Sequence, residues 1–173
     1  MRTLARRAPW ASLRTTFAAA MITSLASRVA GGQTAQGTPD SGMVPIKVLY
    51  EAQDGGINRP LRVVLSGDNG PAEFEQLWRE AHGNSTPMSF PIVDFQREMV
   101  IAAAMGFQAT IGSQISITRV RKLDRVLEVT VELRPFPTGC SGYPVVTAPI
   151  VIVSVPFTLA TVVFQDHVIH TTC

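Results

Sequence analysis

The sequence predicts an α+β, mostly β domain: a compact antiparallel β-sandwich or partly open barrel of about seven strands, with one α-helix over about 71–82 packed on it. Three patterns carry this expectation. Leu127, Val129, Val131 and Leu133 alternate with Glu128, Thr130 and Glu132, as in a strand buried on one face. Phe74, Leu77, Trp78 and Ala81 recur at i, i+3, i+4 and i+7, one apolar face of a helix. Elsewhere, short β-favouring runs are separated by glycine and proline clusters such as Asp54-Gly55-Gly56 and Thr138-Gly139-Cys140-Ser141-Gly142.

Taken in order, residues 1–26 hold four arginines and no acidic group, and an uncharged stretch of 13 residues follows Arg14. That stretch is shorter than the roughly 18 residues a spanning helix needs. It reads as a secretory signal peptide, residues 1–26, cut after Ser24-Leu25-Ala26, with no transmembrane span expected after its removal. Arg6-Arg7 is followed by Ala8-Pro9-Trp10, which does not extend a twin-arginine pattern. Removal leaves 11 basic against 13 acidic groups, so the formal charge moves from +2 to −2. With no clustered basic face, no nucleic-acid partner is expected. Residues 27–43 are small and polar and read as a flexible linker, and residues 44–173 as a single domain.

Within the domain, residues 46–52 and 61–66 are the first two strands. Pro71 suits the first helical turn, Glu73 and Glu75 favour its positive end, and His82-Gly83 supplies a stop. The run DFQREMVIAAAMG then poses a choice. Its alanines and methionines favour helix by propensity, yet Met99 to Met105 fills only about two helical turns. Between neighbouring strands it is better read as a central strand covered on both faces, its alanines small because the helix packs on them. Ile115 and Ile117 start an alternating strand, Lys122-Leu123-Asp124 turns it into the next, residues 135–149 form a loop around Cys140, and residues 150–155 and 161–164 are the last strands.

Cys140 and Cys173 are the only cysteines. In an oxidising compartment such a pair is most simply a disulfide. Two catalytic alternatives use the same region. A small secreted thiol hydrolase would need Cys140 activated by His167 or His170, with Asp166 or Asp94 orienting the imidazole. A metal site from Asp166, His167 and His170 is opposed by strand geometry, because residues i and i+3 point to opposite faces. Neither a nucleophile elbow nor a phosphate loop is present, so no catalytic residue, no metal and no cofactor is expected.

The ordered motifs EFEQLW, VDFQREMVIAAAMG, a T-x-G turn, a hairpin, a proline/glycine loop with cysteine and a VxVP strand resemble the PrcB C-terminal domain family, protease-complex subunit PrcB-like proteins of bacteria. The residues that carry the resemblance are Phe74, Leu77, Trp78, Asp94, Phe95, Met99, Gly106 and Pro149. Ile111 stands where the family has the first glycine of Thr-Gly-Gly, and Ile150 follows Pro149 where the family has an aromatic residue. The resemblance implies a non-catalytic module that associates with and stabilises an exported protease complex.

These readings combine into one expectation: a secreted or periplasmic protein-binding module of the cell envelope that is not an enzyme, with another exported protein, such as a protease, as partner. Thr110, Ile111, Gly112, Arg121, Lys122 and Tyr143 are its candidate contact residues. A chagasin-like peptidase inhibitor is the related alternative, carried by faint echoes in residues 108–112 and Arg134-Pro135-Phe136.

Overall fold

Seven apolar residues in a row cannot leave one face of a strand in water, and the fold is arranged around that fact. The computed structural model describes residues 42–83 and 89–173. The predicted signal peptide and all but the end of the predicted linker lie outside the described residues. Eight elements follow: β1 (Lys47–Ala52), β2 (Pro60–Leu65), α1 (Gly70–His82), β3 (Glu98–Met105), β4 (Gln114–Leu123), β5 (Val126–Arg134), β6 (Ile150–Pro156) and β7 (Thr161–Val168). They form a four-stranded sheet in the order β1-β6-β3-β2 and a three-stranded sheet in the order β4-β5-β7. Among the described residues the predicted mostly β fold with one helix is the observed one, and of the sandwich and the partly open barrel it is the sandwich that forms.

β3 is the spine that the sequence predicts. Its alternate residues Met99, Ile101 and Ala103 join Ile115, Ile117, Val129, Val131, Val151 and Val153 in the core between the sheets. Val100, Ala102 and Ala104 face the other way, into a second core with Phe74, Leu77 and Trp78 of α1. Two of the three alanines therefore lie under the helix, where a small side chain lets it sit close, while Ala103 faces the partner sheet. β6 repeats the arrangement, with Ile150 and Ile152 toward α1 and Val151, Val153 and Val155 between the sheets.

Local chemistry sets the ends of α1. Pro71 occupies its first turn, where a missing N–H costs nothing, and Glu73 stands in the same turn. Gly83 closes the helix with φ 60°, a conformation that favours glycine. Gly56 lies so close to the helix end that an added Cβ would collide with the Glu80 carbonyl, and its N–H donates to Ala81 O at 2.8 Å. The Asp54-Gly55-Gly56 turn thus threads between α1 and β6, and it sends β1 and β2 to opposite edges of the sheet.

β4 and β5 form the predicted hairpin, closed by Asp124 at φ 52° and Arg125. A bulge between Ile117 and Arg119 resets the alternation so that Val120 is buried. One pair departs from the antiparallel expectation: β7 runs parallel to β5, with Val129 opposite Phe164. The chain leaves the top of β5, descends through β6 in the other sheet and climbs again in β7, so β5 and β7 point the same way. Parallel neighbours need such a long crossover. β7 also runs to Val168, beyond the predicted residue 164. Across the open side, Arg62 of β2 donates to Asp166 of β7 through Nε at 3.0 Å and Nη2 at 2.9 Å, a bidentate clamp between the sheets.

Close packing on β3 gives a measurable consequence. Ala102→Leu inserts bulk beneath Phe74, Leu77 and Trp78 and should lower the free energy of unfolding by about 1–3 kcal/mol. Phe74→Ala should cost about 3–5 kcal/mol by leaving a cavity. Urea unfolding of the two variants reads both values, and an Ala102→Leu protein as stable as the parent would contradict the helix-on-strand contact.

Candidate interaction surface at one end of the sandwich

Strand direction decides which loops meet. β1 ends, β2 begins, β3 ends, β4 begins, β5 ends and β6 begins at one end of the sandwich, as the pairs Pro60 with Met105, Ala104 with Ile150 and Gln114 with Arg134 show. The connections 53–59, 106–113 and 135–149 therefore gather there. Residues 106–113 and 135–149 contain no charged side chain and no histidine, so neither loop is held by ion pairs.

Backbone pairing and buried hydroxyls hold them instead. Gln108 and Thr147 exchange both backbone hydrogen bonds, at 2.8 and 2.9 Å. Met105 N–H donates to Pro149 O at 3.0 Å and Phe107 N–H to Asn58 O at 3.2 Å. The buried Ser113 accepts from Phe136 N–H through Oγ at 3.1 Å, and Thr147 Oγ1 donates to Thr110 O at 3.5 Å. The Phe136 ring lies against Gly112, whose φ of 113° favours glycine, and against Gly142, where a Cβ would clash with it. Cys140 and Cys173 form a disulfide with Cα atoms 5.5 Å apart, and Thr138 N–H donates to Thr171 O at 3.1 Å beside it. The last residues are thereby sewn to the 135–149 loop.

On this braced base, large apolar side chains face solvent. Tyr143 is 79% exposed, Phe107 64% and Val146 58%, with Val145 and Ile111 also exposed. Desolvating such side chains releases about 1.5–3 kcal/mol each, and fixed loops lose little entropy on binding. The arrangement is suited to burying apolar area against another surface, and the two loops that carry these side chains hold no charged residue.

The predicted contact residues divide. Thr110, Ile111, Gly112 and Tyr143 come together at this end. Arg121 and Lys122 lie near the hairpin turn at the opposite end, because β4 carries the chain the full length of the sandwich after Gly112. Phe107, Val145 and Val146 were not predicted. Val145 and Val146 sit in a sequence run that continues into buried β6, so their exposure leaves no mark in the pattern.

The resemblance residues take structural places. Phe74, Leu77, Trp78 and Met99 are buried. Asp94 accepts from Gln96 N–H at 3.1 Å in the turn before β3, and Phe95 packs on Gly70 and Phe74. Gly106, at φ 73°, lies against Pro60, and Pro149 supplies the carbonyl bonded by Met105.

The residues of the catalytic alternatives are scattered. The disulfide occupies both cysteines, so Cys140 presents no thiolate in this state. Asp166 is engaged by Arg62, and His167 and His170 face solvent. Among the described residues, no three His, Cys, Asp or Glu side chains converge as a metal site would require. His82 lies elsewhere, at the end of α1. Its Nδ1 is 2.8 Å from Trp78 O and so donates, and its ring stacks on Tyr50 at 4.1 Å and Trp78 at 4.4 Å. Burial, and secondarily the Asp54 carboxylate, push the Tyr50 phenol above its ordinary value.

Comparisons with family models, characterised proteins and solved structures find no match for this chain.

Two measurements follow. Replacing both cysteines, Cys140→Ser with Cys173→Ser, frees a loop whose ends are 33 residues apart and should lower stability by about 3–4 kcal/mol on chain-entropy grounds. A loss below about 1 kcal/mol in chemical unfolding would contradict this. The raised Tyr50 value means that the unfolded chain releases its proton first. Stability is full below about pH 10 and falls as pH rises through the folded value. Tyr50→Phe should flatten that alkaline limb in a pH series of unfolding midpoints.

Proposed function

We propose that this chain is an exported, non-catalytic protein-binding or assembly module that docks another exported protein, such as a protease, through the 106–113 and 135–149 loops. One observation carries the reading: Phe107, Tyr143 and Val146 stand exposed on two uncharged loops that are fixed to one another and to the chain end. Exposed apolar and aromatic side chains on a rigid base are the usual centre of a protein interface. The disulfide supports an oxidising compartment, and no described helix is long and apolar enough to cross a membrane. Both are compatible with an extracellular or periplasmic setting, to which the arginine-flanked apolar stretch of residues 1–26 adds the route.

The resemblance to the PrcB C-terminal domain family supports the same reading from the order of motifs, and it suggests a protease complex as the setting. The chagasin-like alternative uses the same end of the molecule: residues 108–112 sit there, and Phe136 underlies them. It differs in its consequence, since an inhibitor closes a protease active site and an assembly subunit does not.

Affinity capture of the exported protein from the envelope of the producing cell tests the proposal. A specifically retained exported protein should bind about thirtyfold more weakly after Tyr143→Ala or Phe107→Ala, while Val163→Ala on the outer face of β7 leaves affinity unchanged. Retention that ignores the loop substitutions would overturn the assignment of the surface. Loss of peptidase activity in the captured complex, restored by Tyr143→Ala, would select the inhibitor instead.

A further inference from the structure

The opposite end of the sandwich carries a second set of exposed apolar side chains, of different chemistry. Leu159, at the tip of the β6–β7 connection, is 93% exposed, and Phe157, Leu123, Val126 and Met43 are exposed around it. The β4–β5 hairpin and the β6–β7 connection enclose a groove of about 700 Å³ lined by Lys122, Asp124, Arg125, Phe157 and Leu159. Thr161 N–H donates to Arg125 O at 2.8 Å and Phe157 N–H to Arg97 O at 2.7 Å, so both connections are tied to neighbouring strand ends.

Charge distinguishes this end from the other. Lys122 and Arg125 border the groove against one carboxylate, Asp124, and the exposed Arg119 adds positive charge farther along β4, where Arg121 stands opposite Glu128. Asp68 and Asp94 lie beyond Phe157, around a separate depression, and Asp94 faces Arg97 at 3.7 Å. The chain also joins the body here: Gly42 O accepts from Lys122 N–H at 2.7 Å, and Met43 pairs with Arg121.

We propose that this end docks on an anionic lipid bilayer, with Leu159 and Phe157 reaching into the acyl boundary while Lys122 and Arg125 meet lipid phosphates. A bilayer fits better than a protein partner. Leu159 stands farthest into solvent of these side chains, at a connection tip, which a protein would have to match with a pocket, whereas a bilayer accepts an apolar tip anywhere. Lysine and arginine stems lie along apolar surface with their charged heads outward, the geometry of a membrane boundary. The two ends would then divide the work, one on the membrane and the other presenting Tyr143 and Phe107 away from it.

Brominated-acyl-chain quenching tests the contact, each variant being read as the change from the unsubstituted chain, whose Trp10 and Trp78 set the baseline. An indole introduced by Leu159→Trp should be quenched by vesicles of brominated phosphatidylcholine containing phosphatidylglycerol, and much less by brominated phosphatidylcholine alone. One introduced by Tyr143→Trp should not be quenched. Lys122→Glu with Arg125→Glu should weaken the quenching at position 159 by at least about tenfold, with near-ultraviolet circular dichroism reporting that the fold is retained. Should that double substitution unfold the hairpin, raised salt supplies the independent readout, since it should release the contact in the Leu159→Trp protein. Absence of quenching at position 159, equal quenching at 159 and 143, or quenching indifferent to both salt and the charge reversals would overturn the proposal.

Discussion

The structure depends on the two-sided burial of β3 and β6. Met99 to Met105 and Ile150 to Val155 offer apolar atoms to both faces of their sheet, so one layer of cover is not enough. A second sheet closes one face and α1 closes the other. Alanine at 102 and 104 sets how close the helix approaches, and Phe74, Leu77 and Trp78 fill the space those alanines leave. This constraint accounts for the place of α1, and it leaves the connections at the strand ends to meet solvent.

Those ends have been used differently. At one, two loops without charge are bound together by the Gln108–Thr147 backbone pair, by Ser113 and by the disulfide, and they raise aromatic and aliphatic side chains into solvent. At the other, a hairpin and a connection carry apolar tips beside lysine and arginine. The rigid, doubly covered sheet between them fixes the separation of the two surfaces. The Arg62–Asp166 clamp closes the side where β2 and β7 leave their outer edges unpaired, and a charge placed there also discourages strands of other chains from adding to the sheet.

Much of the fold was legible because its signals are local. The i, i+3, i+4, i+7 spacing of Phe74, Leu77, Trp78 and Ala81 marks α1, strict alternation marks β5, and an unbroken apolar run too short for a helix marks β3. The parallel placement of β7 was not legible, since it depends on which sheet β6 joins, and periodicity carries no information on pairing partners. The candidate surface was half legible. Thr110 to Gly112 and Tyr143 belong to one end, but Arg121 is nine residues from Gly112, a strand length of roughly 30 Å. Val145 and Val146 were hidden for the opposite reason: they look continuous with a buried strand and stop short of it.

The central claim is that the uncharged loop end is where this chain meets another protein, and site-specific photo-crosslinking in the producing cell addresses it most directly. A photoreactive side chain at position 107, compared with one at position 163 on the outer face of β7, reports which surface touches a neighbour. A discrete crosslink to an exported protein from 107 and none from 163 is the predicted result. Crosslinks from 163 alone, equal crosslinks from both, or none from 107 in cells that export the protein would contradict it.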